Sequence, residues 1–383
     1  MEHDVATGVS KGSKTLWLAL ELSLSKWKLA FSDGGPERSR LVTIEARDFD
    51  ALRQRIERAK RAFELPTDCL VRSLYEAGRD GFALHRRLIA MGIENIIIDA
   101  ASIEVSRHAR RAKSDAIDVE SLLRHLMAFA NGRGRLAVVR VPSPQDEAMR
   151  QPDREIETLK KEIGQHRKRI QSLLFAEGIA VELKVSLVKE LPSLRTADGR
   201  ALSSELVGRI GREFTRLDIV REQLSVLEKQ RKERIESDSA QGKMMRTLCA
   251  LMGIGPVGSF RMVVEFFGWR TFRNRREVSQ AAGLAPSPYA SGQMNHEQGI
   301  SKVGNKRIRA LMIELAWCWL RFQPQSDLAR WFHNRFGTGG RSRRVGIVAV
   351  ARRLLVDLWR YVTMGLVPPG ASFKAAITSG AKP

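Results

Sequence analysis

Five short apolar runs within the first hundred residues constrain this chain more tightly than anything else in it. TLWLALEL (15–22) is followed by SKWKLAF (25–31), by an Asp33-Gly34-Gly35 turn and by RSRLVTIE (38–45). Asp-Gly between apolar runs is a hairpin signal, because glycine takes the positive φ that a tight turn demands. Apolar residues near helical spacing then predict a helix over Phe49–Phe63, and CLVRSLYE (69–76) reads as another strand. A helix over Asp80–Met91 leads to ENIIIDA (94–100), an apolar run short enough for a buried parallel strand.

Three strands in a meander, followed by alternating helix and strand, fit an α/β fold of the ribonuclease-H-like kind, a mixed sheet with helices on both faces. The pattern changes at residue 144. Ile156, Ile163 and Ile170 recur every seven residues with Leu159 and Leu173 beside them, and Leu206, Ile210, Phe214, Leu217, Val220, Leu224 and Leu227 step by three and four. Two long helices separated by a loop around Pro192–Gly199 would form a helical hairpin or coiled coil, suited to dimerisation or spacing. From 246 to about 365 the chain reads as mainly helical, with a Gly- and Pro-rich centre at 283–304, and its last dozen residues read as frayed. Three parts are therefore expected: 14–143, 144–245 and 246–365.

Charge narrows the partners. The chain carries 65 Lys and Arg against 43 Asp and Glu, a net charge of +22. So basic a protein neutralises a polyanion, and nucleic acid is the commonest one. Its three cysteines show no CxxC spacing, which excludes a zinc ribbon. No secretory signal opens the sequence, and the most apolar helix, around Ala310–Leu320, is too short to span a bilayer and contains Glu314. A cytoplasmic protein with no membrane partner is expected.

Four carboxylates fall where such a sheet would present metal ligands. Glu21 ends the first strand, Glu76 ends CLVRSLYE, and Asp115 and Asp118 lie three apart at the start of a helix, hence on one face. Carboxylate oxygens suit Mg²⁺, and pairs of such ions assist phosphodiester chemistry. Asp-x-x-Asp is equally an ordinary helix start. A basic run before it, containing Arg110, Arg111 and Lys113, suits phosphate contacts.

In the C-terminal part, Ser291-Gly292 sits in a polar loop upstream of Lys302, Asn305, Arg307 and Arg309. A serine there could attack a phosphodiester with basic groups beside it, although most Ser-Gly pairs are surface turns. Gly253, Gly255 and Gly258 match GxGxxG, but no clear strand precedes them. They fit better as a helix-hairpin-helix, with one helix ending in LCALMG and the next starting at Ser259, whose turn approaches a phosphate. Trp269, Phe272, Trp317, Trp319 and Trp331 read as core rather than base-stacking residues.

Taken in order, these segments resemble a known family, the serine-containing DEDD transposases of insertion sequences, also described as bridge-RNA-guided recombinases. ALELSLSKWKLA resembles the family's first-strand motif, YEAGRDGF its glutamate motif and KSDAIDVESL its paired-aspartate motif. GIGPVGS, AAGLAPS, YASG and ISKVGNKRIR are similar to its C-terminal signature run. The resemblance implies a RuvC-like domain binding Mg²⁺ through Glu21, Glu76, Asp115 and Asp118, and a second domain whose Ser291 becomes covalently linked to DNA. It further implies a coiled coil, a homo-oligomer (dimer or tetramer) whose active-site halves meet between protomers, and a structured guide RNA. Glu21 departs from the family, which usually has Asp there. Two alternatives stay open: a metal-dependent nuclease that leaves Ser291 idle, and an inactive nucleic-acid-binding descendant.

Overall fold

Alternation along the first apolar runs builds a five-stranded mixed sheet. In the computed structural model, which describes residues 14–35, 39–99, 115–134, 136–184, 186–291, 294–337 and 339–374, the strands are β1 (Thr15–Leu22), β2 (Lys26–Ser32), β3 (Arg40–Glu45), β4 (Leu70–Glu76) and β5 (Glu94–Ile98). Their order is β3-β2-β1-β4-β5. β1 pairs antiparallel with β2 and β2 with β3, whereas β1, β4 and β5 run parallel.

Period two decides what each face buries. Leu16, Leu18 and Leu20 of β1 join Trp27, Leu29 and Phe31 of β2 against helices α1 (Phe49–Ala62) and α2 (Ala83–Ala90). Trp17 and Ala19 look the other way and pack with Leu74 on Val119, Leu122, Leu123 and Leu126 of α3 (Asp115–Ala130). Both faces are thus covered by helices, an arrangement compatible with a ribonuclease-H-like fold. The helix expected from Asp80 begins only at Ala83. Gly81 takes a φ of +61°, outside the helical region, and Asp80 is held by Arg47 at 2.9 Å.

The chain divides into two compact units, 1–141 and 142–383. The second contains α4 (Pro144–Ala148), α5 (Gln151–Ala176), α6 (Leu187–Glu190), α7 (Ser204–Glu236), α8 (Ala240–Ala250), α9 (Pro256–Met262), α10 (Arg275–Ala281), the hairpin strands β6 (Pro286–Ser291) and β7 (Met294–Ile300), α11 (Lys306–Phe322), α12 (Asp327–Phe336) and α13 (Gly340–Met364). Lys160 meets Glu228 and His166 meets Glu213, so α5 and α7 run antiparallel. Ile170, Leu174, Ile210, Phe214 and Leu217 are buried between them and their connection. The helical hairpin and the C-terminal helices fall in the same unit. A larger core joins α8, α9, α11 and α13 around Phe260, Met312, Trp319 and Leu355.

The polar segment around Ser291 is a β-hairpin, not a loop. The helix expected from Ser259 starts at Pro256, a residue suited to a first helical turn, and continues through a π-helical stretch, Val263–Phe267. Trp319 is buried but Trp317 is 42% exposed, because residues two apart lie on opposite sides of a helix. Of the dozen residues expected to fray, Ser372–Lys374 are hydrogen-bonded to the body of the unit. Among the described residues, no helix is long and apolar enough to cross a membrane.

Candidate functional site

The parallel register of β1 and β4 brings two of the acids together. Leu20 pairs with Tyr75, so Glu21 and Glu76 are the next positions along adjacent strands, at their carboxyl ends. Ligands of open α/β sheets gather at that edge. Glu21 shares its face with Trp17 and Ala19, and Glu76 shares its face with Leu74, so both occupy the side of the sheet that α3 covers. They line a hollow of about 110 Å³ together with Leu20, Leu22, Ala77, Gly78, Arg79 and Asp80.

Asp115 and Asp118 stand in the first turn of α3, four residues ahead of the buried Val119 and Leu122 respectively, and so on the sheet-facing side of that helix. Among the described residues, no three His, Cys, Asp or Glu side chains converge closely enough to hold a metal ion. The sheet therefore juxtaposes the two glutamates, while the aspartates remain a separate pair on the covering helix. Arg110, Arg111 and Lys113 lie outside the described residues. Sequence reasoning misses Arg79 and Asp80, although YEAGRDGF carries both shortly after Glu76. Asp80 is committed to Arg47, which leaves Arg79 as the exposed charge at the rim.

In the second unit, Ser291 is the last residue of β6 and pairs with Met294, which places it at the tip of the hairpin. Gly292 lies outside the described residues. The hairpin's base is fastened to α10 and α11. Lys302 N–H donates to Gly283 O and Asn305 N–H to Ala281 O. The Arg309 guanidinium donates to Lys302 O at 2.8 Å and to Ala282 O at 3.4 Å. Gly304 has a φ of +105°, and a Cβ there would press into Ala281 O. AAGL and KVGN are thus the two halves of a clamp beneath the serine hairpin.

Asn305 and Arg307 are also engaged. The Asn305 side chain caps α11 by accepting from the Arg307 and Ile308 N–H groups, and its amide donates to Glu265 O. Arg307 reaches Glu157 at 2.5 Å and lies 4.0 Å from Glu265. Those carboxylates belong to a larger network in which Arg154 grips Glu265 and Arg261 grips Asp153 and Glu157. Asp153 and Glu265 are almost fully buried. Burial disfavours the Arg261 charge, but the hydrogen bond and charge of Asp153, with Glu157 beside it, outweigh burial and raise its pKa. Lys302 remains exposed, its backbone in the left-handed region at φ +57°.

The glycine box is divided in use. Gly253 has a φ of +85° beside Cys318 O, and Gly255 is the N-cap of α9. A Cβ on Gly258 would come within 3.2 Å of Leu315, so this glycine allows α9 to approach α11 closely. The turn itself is strapped by the C-terminal segment: Met252 N–H donates to Ser372 O, and Lys374 Nζ donates to the carbonyls of Cys249 and Ile254, each at 2.7 Å.

Comparison with known proteins adds an independent observation. Residues 245–330 match the model of the transposase IS116/IS110/IS902 family, a span that includes the glycine box, the clamp and the Ser291 hairpin. The chain is 40% identical over 376 residues to a putative transposase, y4rJ, of Sinorhizobium fredii, covering 94% of each chain. It is 24% identical over 257 residues to the transposase for insertion sequence element IS1328 of Yersinia enterocolitica, covering 67% of this chain and 73% of that one.

Proposed function

Because this chain belongs to the IS116/IS110/IS902 family of insertion-sequence transposases, we propose that it recombines DNA through two sets of residues, the carboxylates of its first unit and Ser291 of its second. The observation that carries this reading is the adjacency of Glu21 and Glu76 at the carboxyl edge of parallel strands, on the face covered by the helix that bears Asp115 and Asp118.

An all-carboxylate donor set fits a hard divalent cation such as Mg²⁺. Glu21 and Glu76 would hold it from the sheet, and Asp115 and Asp118 on α3 would have to draw closer to that edge to share it. When bound, Mg²⁺ neutralises charge at a reacting phosphate. In the serine step, a bond forms between Ser291 Oγ and phosphorus as the bond from phosphorus to one sugar oxygen breaks. The proton lost by the serine balances the one gained by the leaving hydroxyl. Nothing is oxidised or reduced, and the phosphodiester energy is kept for rejoining by the reverse attack. A serine hydroxyl is a weak nucleophile and needs a base, a role carboxylates can fill. The net charge of +22 supports a further polyanionic partner, here a structured guide RNA, and a homo-oligomer completes the proposal.

The test combines protein, RNA transcribed from sequence flanking the element, and supercoiled target DNA, followed by proteolysis and mapping of the DNA-linked peptide. The adduct is expected on Ser291. Ser291→Ala should retain DNA binding and lose recombination, Glu21→Gln should lose cleavage, and Glu21→Asp should keep it. An adduct on another residue would move the nucleophile away from Ser291, and recombination by Ser291→Ala without an adduct would replace the serine mechanism with that of a metal nuclease.

A further inference from the structure

Almost wholly beyond the matched residues 245–330 lies a second basic element that the transposase reading leaves unused. Between Leu328 and Val356 the sequence holds seven arginines, no lysine and no carboxylate. These residues form the body of the α12–α13 helical hairpin. Gly346 lets the two helices touch, since a Cβ there would lie 2.5 Å from Phe336 Cγ and 2.8 Å from Phe332 Cε2. Arg353 stacks on Trp331 with its guanidinium carbon 3.7 Å from the ring centroid. Aromatic groups therefore fill the seam of the hairpin.

The charge collects at the turn. Arg335 lies in the last turn of α12, Arg343 and Arg344 fall in the first turns of α13, and all three are exposed. None has a carboxylate within ion-pairing distance among the described residues, whereas Arg330 on the same hairpin is paired with Asp327 at 2.5 Å. Like charges held together without counter-ions weaken a fold through self-repulsion, so folding does not account for them. Guanidinium groups are the residues of choice for bidentate contact with phosphate oxygens.

We propose that the α12–α13 turn is a binding surface for the phosphate backbone of duplex DNA, with Arg335, Arg343 and Arg344 as its contacts. A single strand is held by stacking its bases on exposed aromatic rings. Here Phe332 is buried, Phe336 packs against Gly346, and Trp331 is covered by Arg353. The turn offers charge without a stacking platform, which suits a duplex whose bases stay paired. Such binding is independent of base sequence and positions the protein rather than selecting a target. It rests on the transposase assignment alone, not on the chemistry of Ser291 or the carboxylates.

The experiment measures binding of the full-length protein to a fluorescein-labelled duplex DNA of mixed sequence across a salt series. For every phosphate that the protein no longer neutralises, the slope of log affinity against log salt becomes shallower by about 0.9. Replacing Arg335, Arg343 and Arg344 together by Gln should flatten the slope by about 2 to 3 and weaken binding about tenfold or more at physiological salt. A control removes the same charge from arginines paired with carboxylates, Arg200, Arg221 and Arg330, and should leave the slope within about one unit of wild type. Replacing Arg343 and Arg344 by Lys should preserve most of the slope and shows that the turn still folds. A wild-type slope in the Gln variant overturns the proposal. So does a flattening confined to duplex RNA, measured in parallel, or one that the control variant matches. Because cleavage is not read, failure of the serine mechanism leaves this result intact.

Discussion

ISKVGNKRIR (300–309) and HNRFGTGGRSRR (333–344) are both glycine-containing basic stretches that lead into a long helix of the second unit, yet the fold uses them in opposite ways. In the first, Arg307 is bound to Glu157, Arg309 to backbone carbonyls, and Asn305 caps α11. In the second, Arg335, Arg343 and Arg344 reach no carboxylate among the described residues. Positive charge in a sequence therefore does not reveal whether it is committed to architecture or left for a ligand; the partners decide. The first stretch fastens a hairpin, and the second displays charge.

Thermal or urea unfolding of single variants can break or sharpen that contrast. The largest loss is expected for Gly304→Ala, about 3 kcal/mol or more, because the new Cβ combines left-handed strain with overlap against Ala281 O. Arg307→Leu should cost about 2 kcal/mol, moderated because Arg261 still holds Glu157 and Arg154 still holds Glu265. Gly339→Ala in the second stretch should cost roughly 1–2 kcal/mol, since its φ of +93° is strained but nothing lies near its Cβ. Asn305→Ala removes a helix cap and should cost about 1 kcal/mol. The smallest effect belongs to the double change Arg343→Gln and Arg344→Gln, within about 0.5 kcal/mol of wild type. A loss above about 1 kcal/mol there would show that these arginines also build the fold.

Much of the first unit is visible in its alternation. TLWLALEL coincides with β1, and CLVRSLYE and ENIIIDA overlap β4 and β5. Each is an apolar run whose two faces both meet helices, so burial follows local pattern. The placement of Glu21 and Glu76 at strand ends is equally local. Their adjacency is not, because it depends on β4 pairing with β1 rather than with β3, and no residue near either glutamate specifies strand order. The serine hairpin is hidden in the sequence because PSPYAS and MNHEQGI lack alternating apolar residues; two prolines and several polar side chains make them resemble a loop. Arg309 reads as a phosphate ligand because its partners are the carbonyls of Ala282 and Lys302, which every residue possesses and no side-chain pattern reveals.

The central position of β1 also bears on the order in which the first unit assembles. Its pairing with β2 closes a turn between Leu22 and Trp27, whereas its pairing with β4 joins residues such as Thr15 and Leu70. Closing the longer loop costs roughly 2 kcal/mol more in chain entropy before any pairing rewards it. The meander of β1, β2 and β3 can therefore form while β4 is still searching, so amides of β2 should gain protection from hydrogen exchange before those of β4 during refolding. Glu21 waits for Glu76 in that sequence of events. The two carboxylates come side by side only when β4 joins β1, so the carboxylate edge of the sheet forms after its meander.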